Sequence, residues 1–160
     1  MKSAMKAKRR EYVVSTTRYF PAPRERVFEC WTLAEHLAHW FGPRGFTVHS
    51  VQADPHPGGA FRLVMRAPDG RDYRVRGSFR ELLAPERLVI DCRADDEHGV
   101  EQLDEVIRVT ITEEGKGMRL ELDAVAGGTS KKAGEMLAGM EQGWSETLDR
   151  LGDRAAEKDT

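Results

Sequence analysis

The residues best suited to chemistry are concentrated at positions 31 to 43, WTLAEHLAHWFGP, which hold two tryptophans, a phenylalanine and two histidines. Such a stretch could form a catalytic or metal-binding cluster, or the wall of an apolar cavity. His36 and His39 are three residues apart, a spacing at which two imidazoles on one helix can share a metal ion. No Asp, Glu or Cys is placed by the sequence to complete the ligand set. We therefore predict no metal site and no cofactor.

No known catalytic motif in the sequence indicates an enzymatic activity. The sequence contains no G-x-S-x-G, no HExxH, no catalytic cysteine signature and no phosphate-cradling glycine loop. Acid–base chemistry inside a cavity could use His49, Tyr73, Asp91 or Arg108. The alternation of their strands, however, places Asp91 and Arg108 on the outer face and leaves Tyr73 as the inward polar group. Because a buried tyrosine hydroxyl usually makes a structural hydrogen bond, we predict no catalytic residue, and an enzymatic role stays open.

Several arginines share the outer face of two neighbouring predicted strands, where they could bind an anion or a partner. These residues are Arg62, Arg66, Arg74, Arg76 and Arg80. Asp91, Glu121 and Asp123 lie on the same face of later strands, which favours a mixed, solvated surface. The net charge of −2 offers no basic field for nucleic acid, and no exposed aromatics are interleaved with the arginines. We predict no nucleic-acid partner.

Length and composition indicate one globular domain. The chain has 160 residues, of which 39% are hydrophobic and 32% charged. No apolar run approaches the ~18 residues of a membrane span, and the basic start lacks the apolar stretch of a secretion signal. We predict a flexible basic tail over residues 1–10, a domain over 11–152 and a C-terminal tail over 153–160. Cys30 and Cys92 have no CxxC spacing, so we expect buried free thiols in a cytoplasmic protein.

Helical periodicity appears in three segments. Residues 23–32 and 33–41 are predicted as two short helices, with apolar stripes at three- and four-residue steps. In the second helix Trp40 and Phe41 face inward, and His39 projects roughly opposite them. The third segment, residues 130–152, is predicted as one long amphipathic helix that begins at Ser130 as N-cap.

Strand periodicity dominates the rest of the chain. Residues 12–20 are rich in β-branched and aromatic side chains, and the alternation resumes after residue 46. The later predicted strands span residues 46–52, 60–67, 71–79, 87–93, 104–112 and 118–124. The turns between them are too short for parallel crossovers, so the strands must be antiparallel neighbours. The result is a meander with one apolar and one polar face.

Three segments carry a resemblance to a known family: TRYFPAPRERVFECWTLAEHLAHWFGP, DPHPGGAFRLVMRAPDGRDYRVRGSFRELLAPERLVID and GWSETLDRL. In order and spacing they resemble the SRPBCC (START/Bet v 1-like) superfamily, and more narrowly the activator of Hsp90 ATPase homologue 1-like (AHSA1) family. The resemblance covers about residues 12–152. It implies an α+β helix-grip fold, in which an antiparallel sheet wraps around a long C-terminal helix and two short helices follow the first strand. It also implies a cavity between the sheet and that helix.

The predicted wall of this cavity is apolar. Its residues are Trp40, Phe41, Phe61, Leu63, Met65, Tyr73, Val75, Phe79, Met136, Met140 and Trp144. The methionines provide adaptable contacts, and Gly77 and Gly143 face the same space without filling it. We therefore expect binding of a small hydrophobic molecule, lipid-like or aromatic. The resemblance leaves open a co-chaperone-like module with a protein partner, or a polyketide cyclase-type enzyme. The sequence leaves open a monomer or a homodimer.

Overall fold

The computed structural model describes residues 8–157 and contains one antiparallel sheet in that range. The strands are β1 (Arg10–Phe20), β2 (Thr47–Ala53), β3 (Ala60–Arg66), β4 (Asp72–Leu83), β5 (Arg87–Asp95), β6 (Glu101–Glu114) and β7 (Gly117–Gly128). The seven strands run in the order β1-β7-β6-β5-β4-β3-β2, so β2 to β7 form a meander and β1 joins its far end. The predicted antiparallel sheet is confirmed.

The helices lie in two pairs. They are α1 (Arg24–Thr32), α2 (Ala34–Trp40), α3 (Lys131–Ala138) and α4 (Met140–Ala156). The first pair follows β1 and the second follows β7, as in the predicted order of elements. Both pairs cover the apolar face of the sheet, which confirms the α+β helix-grip architecture.

A cluster of aromatic side chains fills the interior between α1, α2 and the sheet. The ring centroids of Trp31 and Trp40 are 4.8 Å apart in an edge-on arrangement, and those of Phe61 and Phe79 are 5.5 Å apart. Each such pair contributes about 1 kcal/mol beyond the burial of its area. The indole Nε1 of Trp40 also donates a hydrogen bond of 2.8 Å to the backbone carbonyl of Cys30. The inward orientation predicted for Trp40 and Phe41 is confirmed.

The predicted single C-terminal helix is in fact broken at Gly139. Ser130 is the N-cap of α3, as predicted, and its hydroxyl oxygen accepts a hydrogen bond from the backbone N–H of Ala133 at 2.9 Å. The helix ends where the N–H of Gly139 donates to the carbonyl of Met136, a tight final turn at φ −93° and ψ 0°. The apolar spacing continues across this joint, so periodicity alone predicted one helix. Gly139 is the position at which the backbone departs from that continuity.

The first strand and the last helix extend beyond the elements predicted from the sequence. Strand β1 already includes Arg10, and α4 continues to Ala156, four residues beyond the predicted end. The remainder of both predicted tails, residues 1–7 and 158–160, lies outside the described residues. None of the helices within residues 8–157 combines the length and apolar character needed to cross a bilayer.

Candidate functional site

A cavity of about 350 Å³ separates the inner face of the sheet from α3 and the start of α4. Strands β3 to β7 form its floor, and the loop after α2 closes one side. Its mouth lies beside Phe46, Tyr73, Lys132 and Glu135, of which Glu135 is exposed to solvent. A volume of this size is in the range of small-molecule sites.

Most of the predicted site residues come together around this cavity. The lining residues among them are Phe41, Met65, Tyr73, Val75, Met136, Met140 and Trp144. The three methionines among them come from β3, α3 and α4. Whether these side chains bind a ligand stays a prediction.

The other predicted site residues lie in the packed core, away from the cavity. These are Trp40, Phe61, Leu63 and Phe79, each at most 2% exposed. Phe61 and Leu63 share a face with Met65, as the alternation predicted. However, Phe61 packs against the rings of Phe41 and Phe79, so aromatic side chains occupy the space over this part of the sheet. Alternation therefore identified their face correctly but not their position relative to the cavity.

The side chain that sequence reasoning missed is Glu105, an acid on the cavity wall. It lies on β6 opposite Cys92 of β5 and Ala126 of β7, and all three side chains line the cavity. The indole Nε1 of Trp144 donates a hydrogen bond of 3.1 Å to the Oε2 atom of Glu105. The sequence did carry a signal, because Ile107, Val109 and Ile111 were predicted inward and Glu105 is in phase with them.

Burial changes the protonation of Glu105. Glu105 is partly buried on the cavity wall, and the surrounding protein removes bulk water from its carboxyl group. This desolvation raises the pKa from 4.5 to about 7, and the hydrogen bond from Trp144 opposes the rise only in part. Glu105 is therefore a carboxyl group that exchanges its proton near neutral pH.

The other polar side chains of the cavity differ in depth. Cys92 is a fully buried free thiol, and its pKa lies well above the ordinary value, first because of burial and second because of the charge of Glu105. It is thus a neutral wall group. At the mouth, the Nζ atom of Lys132 is 5.9 Å from the ring centroid of Tyr73, within reach of a cation–π contact. The deeper wall of the cavity therefore carries the acid Glu105, and the mouth carries both a cation and an acid, Lys132 and Glu135.

The two glycines predicted to face the cavity have different roles. Gly143 of α4 lines the cavity, as expected. Gly77 of β4 does not line it. A Cβ atom at Gly77 would collide with the carbonyl oxygen of Asp91 on β5, so glycine is required by the close approach of these strands. That close approach, and not spare cavity volume, accounts for Gly77.

The two histidines of residues 31–43 lie away from the cavity. His39 is exposed, as predicted, whereas His36 is 5% exposed and its Nδ1 atom accepts a hydrogen bond of 3.1 Å from Nε of Arg154. Within residues 8–157 there is no group of three or more His, Cys, Asp or Glu side chains that could hold a metal ion.

Arginines on the outer face form ion pairs with carboxylates of the same chain. Arg66 contacts Asp72 at 2.8 Å, and Arg76 contacts Asp95 at 3.2 Å and Glu101 at 2.8 Å. Opposite charges are therefore mixed on this face, as the sequence predicted, and Arg66 and Arg76 are already engaged within the chain.

Comparisons with known proteins agree with this architecture. Solved structures with the same fold include a protein of Chromobacterium violaceum (24% identity, 91% of this chain and 98% of that chain covered, TM-score 0.74). A protein of Rhizobium leguminosarum has a TM-score of 0.80 at 18% identity, with 96% of this chain and 100% of that chain covered. The AHSA1 protein of Silicibacter pomeroyi has a TM-score of 0.74 at 23% identity, with 91% and 98% covered.

Sequence comparison then identifies the family. A search of curated proteins finds no match. The family model described as "Activator of Hsp90 ATPase homolog 1-like protein" matches residues 21–156, which include both helix pairs and six of the seven strands. The chain therefore belongs to the family of Activator of Hsp90 ATPase homolog 1-like proteins.

Proposed function

We propose that this protein binds a small, largely apolar molecule in the cavity between its sheet and the helices α3 and α4. The observation that carries the proposal is the cavity itself, about 350 Å³ in volume, beside a core that is otherwise tightly packed. Its wall is mainly apolar, with one hydrogen-bonded carboxyl group. Such a wall excludes water while fixing the orientation of a ligand. Cys92 is a buried free thiol, which suits a reducing compartment, so we propose a cytoplasmic location for this function.

Met65, Met136 and Met140 suit this role. A methionine side chain is unbranched and polarisable, so it adapts its shape to different ligands at little energetic cost. These three residues come from β3, α3 and α4, and all line the cavity. A ligand would therefore be held between two layers of the fold by adjustable contacts.

A test should fill the cavity without disturbing the fold. The variant Met140→Trp places a large side chain in the cavity, and Val13→Trp places the same side chain on β1, where Val13 is 54% exposed. The fluorescence of N-phenylnaphthylamine, a neutral apolar probe, reports its binding. We expect the wild type and Val13→Trp to bind it equally. Met140→Trp should bind the probe at least about tenfold more weakly, since most of the apolar contact is lost.

The control is the thermal unfolding of all three proteins, which should remain cooperative. Equal probe binding by Met140→Trp and the wild type would contradict the proposal. Native mass spectrometry of the purified protein adds an independent check, because a small molecule that co-purifies with the wild type should be absent from Met140→Trp.

A second candidate, an enzyme that uses acid–base catalysis, is favoured by Glu105. A carboxyl group with a pKa of about 7 can both take up and release a proton at neutral pH. In such an enzyme the variant Glu105→Gln would still bind the substrate but would no longer convert it. The protein-interaction alternative gains no support from Arg66 and Arg76, because both are ion-paired within the chain.

A further inference from the structure

The carboxyl group of Glu105 has no opposite charge beside it in the part of the chain that the structure describes. Its hydrogen-bond partner is Trp144, a neutral donor that occupies Oε2 at 3.1 Å. No ion pair involves Glu105 among residues 8–157. A carboxylate removed from water is costly unless a cation or several donors compensate for it. The cavity thus contains an acid whose charged form the protein itself compensates only in part.

Among residues 8–157, no element packed around Glu105 places a cation beside its carboxyl group. The titratable groups that line the cavity with it are Tyr73 of β4, Cys92 of β5, and Lys132 and Glu135 of α3. The contributions from β7 and α4 are uncharged, including Ala126, Trp144 and Thr147. Lys132 lies over the ring of Tyr73 at the mouth and does not lower the pKa of Glu105. An incoming ligand can therefore supply the missing cation.

We propose that the cavity selects apolar molecules that carry one protonated nitrogen, and that this nitrogen pairs with the carboxylate of Glu105. The inference rests on the proposed function, since it names the class of ligand for the same cavity. The apolar body of the molecule contacts the methionines, and its N–H group donates to the carboxylate. Pairing leaves the buried site with no net charge, whereas an anionic ligand would place two like charges together.

Proton exchange gives this pairing a pH dependence with a defined sign. In the empty protein Glu105 is largely protonated below its pKa of about 7 and largely ionised above it. A cationic ligand binds the ionised form, so below that pKa it must displace a proton. Its affinity should therefore rise about tenfold from pH ~6 to pH ~8, following the ionised fraction of Glu105. A neutral ligand displaces no proton and should show no such rise.

The experiment compares three compounds that share a naphthalene body. Naphthylethylamine is cationic, naphthylethanol is neutral and naphthylacetic acid is anionic. Their affinities for the wild type are measured by calorimetry at pH ~6 and pH ~8. At the higher pH we expect the amine to bind about tenfold more tightly than the alcohol, the size expected of a hydrogen bond between charged groups. The acid should bind most weakly.

Two variants assign the effect to the buried carboxyl group. Glu105→Gln keeps an acceptor for Trp144 but removes the charge, so it should bind the amine no more tightly than the alcohol and lose the pH dependence. Glu121→Gln removes one charge from the exposed outer face of β7 and should behave as the wild type.

The outcomes separate the two proposals. Equal affinity of the amine and the alcohol for the wild type would overturn the inference about charge and leave apolar binding intact. Tight amine binding by Glu105→Gln would overturn it as well. Failure of all three compounds to bind the wild type would overturn both proposals.

Discussion

The variant Glu105→Gln should increase the free energy of unfolding at pH ~8 and change its pH dependence. Glu105 has a folded-state pKa of about 7, above its ordinary value of 4.5, because burial disfavours the charged form. The folded protein therefore holds this proton more tightly than the unfolded chain. The contribution of Glu105 to stability is greatest at low pH, decreases as pH rises from about 4.5 to about 7, and is constant above that.

The magnitude follows from the interval between the two pKa values. At ~1.4 kcal/mol for each pH unit, the interval from 4.5 to about 7 corresponds to about 3 kcal/mol. A glutamine has no charge to desolvate and keeps an acceptor for the indole of Trp144, so it should recover this free energy. For a domain of this size that is roughly 6 to 12 °C in Tm. At pH ~5, only about half a unit above the unfolded-state pKa of 4.5, Glu105 folds in its neutral form at little cost, so the gain should fall below about 1 kcal/mol.

Urea unfolding at several pH values between ~5 and ~8 provides the assay. Other carboxyl groups also shift, since ion pairs and hydrogen bonds lower the pKa of Asp72, Asp96, Asp104 and Asp149. Their contributions are common to the wild type and the variant, so the difference between the two curves isolates Glu105. Glu121→Gln, at an exposed position, should show no comparable difference. A difference that is constant with pH would refute the argument.

Three further substitutions test other parts of the fold by urea denaturation. Gly77→Ala should lower the free energy of unfolding by about 2 kcal/mol or more, because its Cβ atom would collide with the carbonyl of Asp91; an unchanged midpoint would contradict this. Gly139→Ala should raise it by up to about 1 kcal/mol, since φ is −93° and the nearest atom to the new Cβ is 3.8 Å away; a loss would show that the joint needs glycine. Trp40→Phe removes a buried hydrogen bond of 2.8 Å and should cost about 1 to 2 kcal/mol while leaving probe affinity unchanged, because Trp40 does not line the cavity. A matching loss of affinity would place Trp40 in the site.

Sequence periodicity predicted most of the fold because the sheet has one apolar and one polar face. The alternation within each strand therefore shows which of its side chains face the core. The short turns between β2 and β7 exclude a parallel arrangement of these strands. The break at Gly139 was not predictable in this way. The apolar positions on its two sides, Met136 and Met140, keep helical spacing, and the change is confined to the backbone of one residue.

The site was predicted less completely, for two physical reasons. Alternation tells which face of a strand a side chain occupies, but not which element covers that point of the face. Phe61 is covered by packed aromatic side chains, while Met65, on the same strand, reaches the cavity. Glu105 was missed because a carboxylate is usually solvated, although its phase with Ile107 and Val109 placed it inward.

The helices α3 and α4 also differ in where they lie relative to the core and to the opening of the cavity. The buried side chains of Leu148 and Leu151 attach α4 to the rest of the core, whereas α3 borders the opening through Lys132 and Glu135. For the proposed binding function, we therefore expect the exposed side of α3 to affect ligand exchange more than thermal stability. We expect substitutions at such positions to change how fast the proposed ligand enters and leaves the cavity, with Tm almost unaltered.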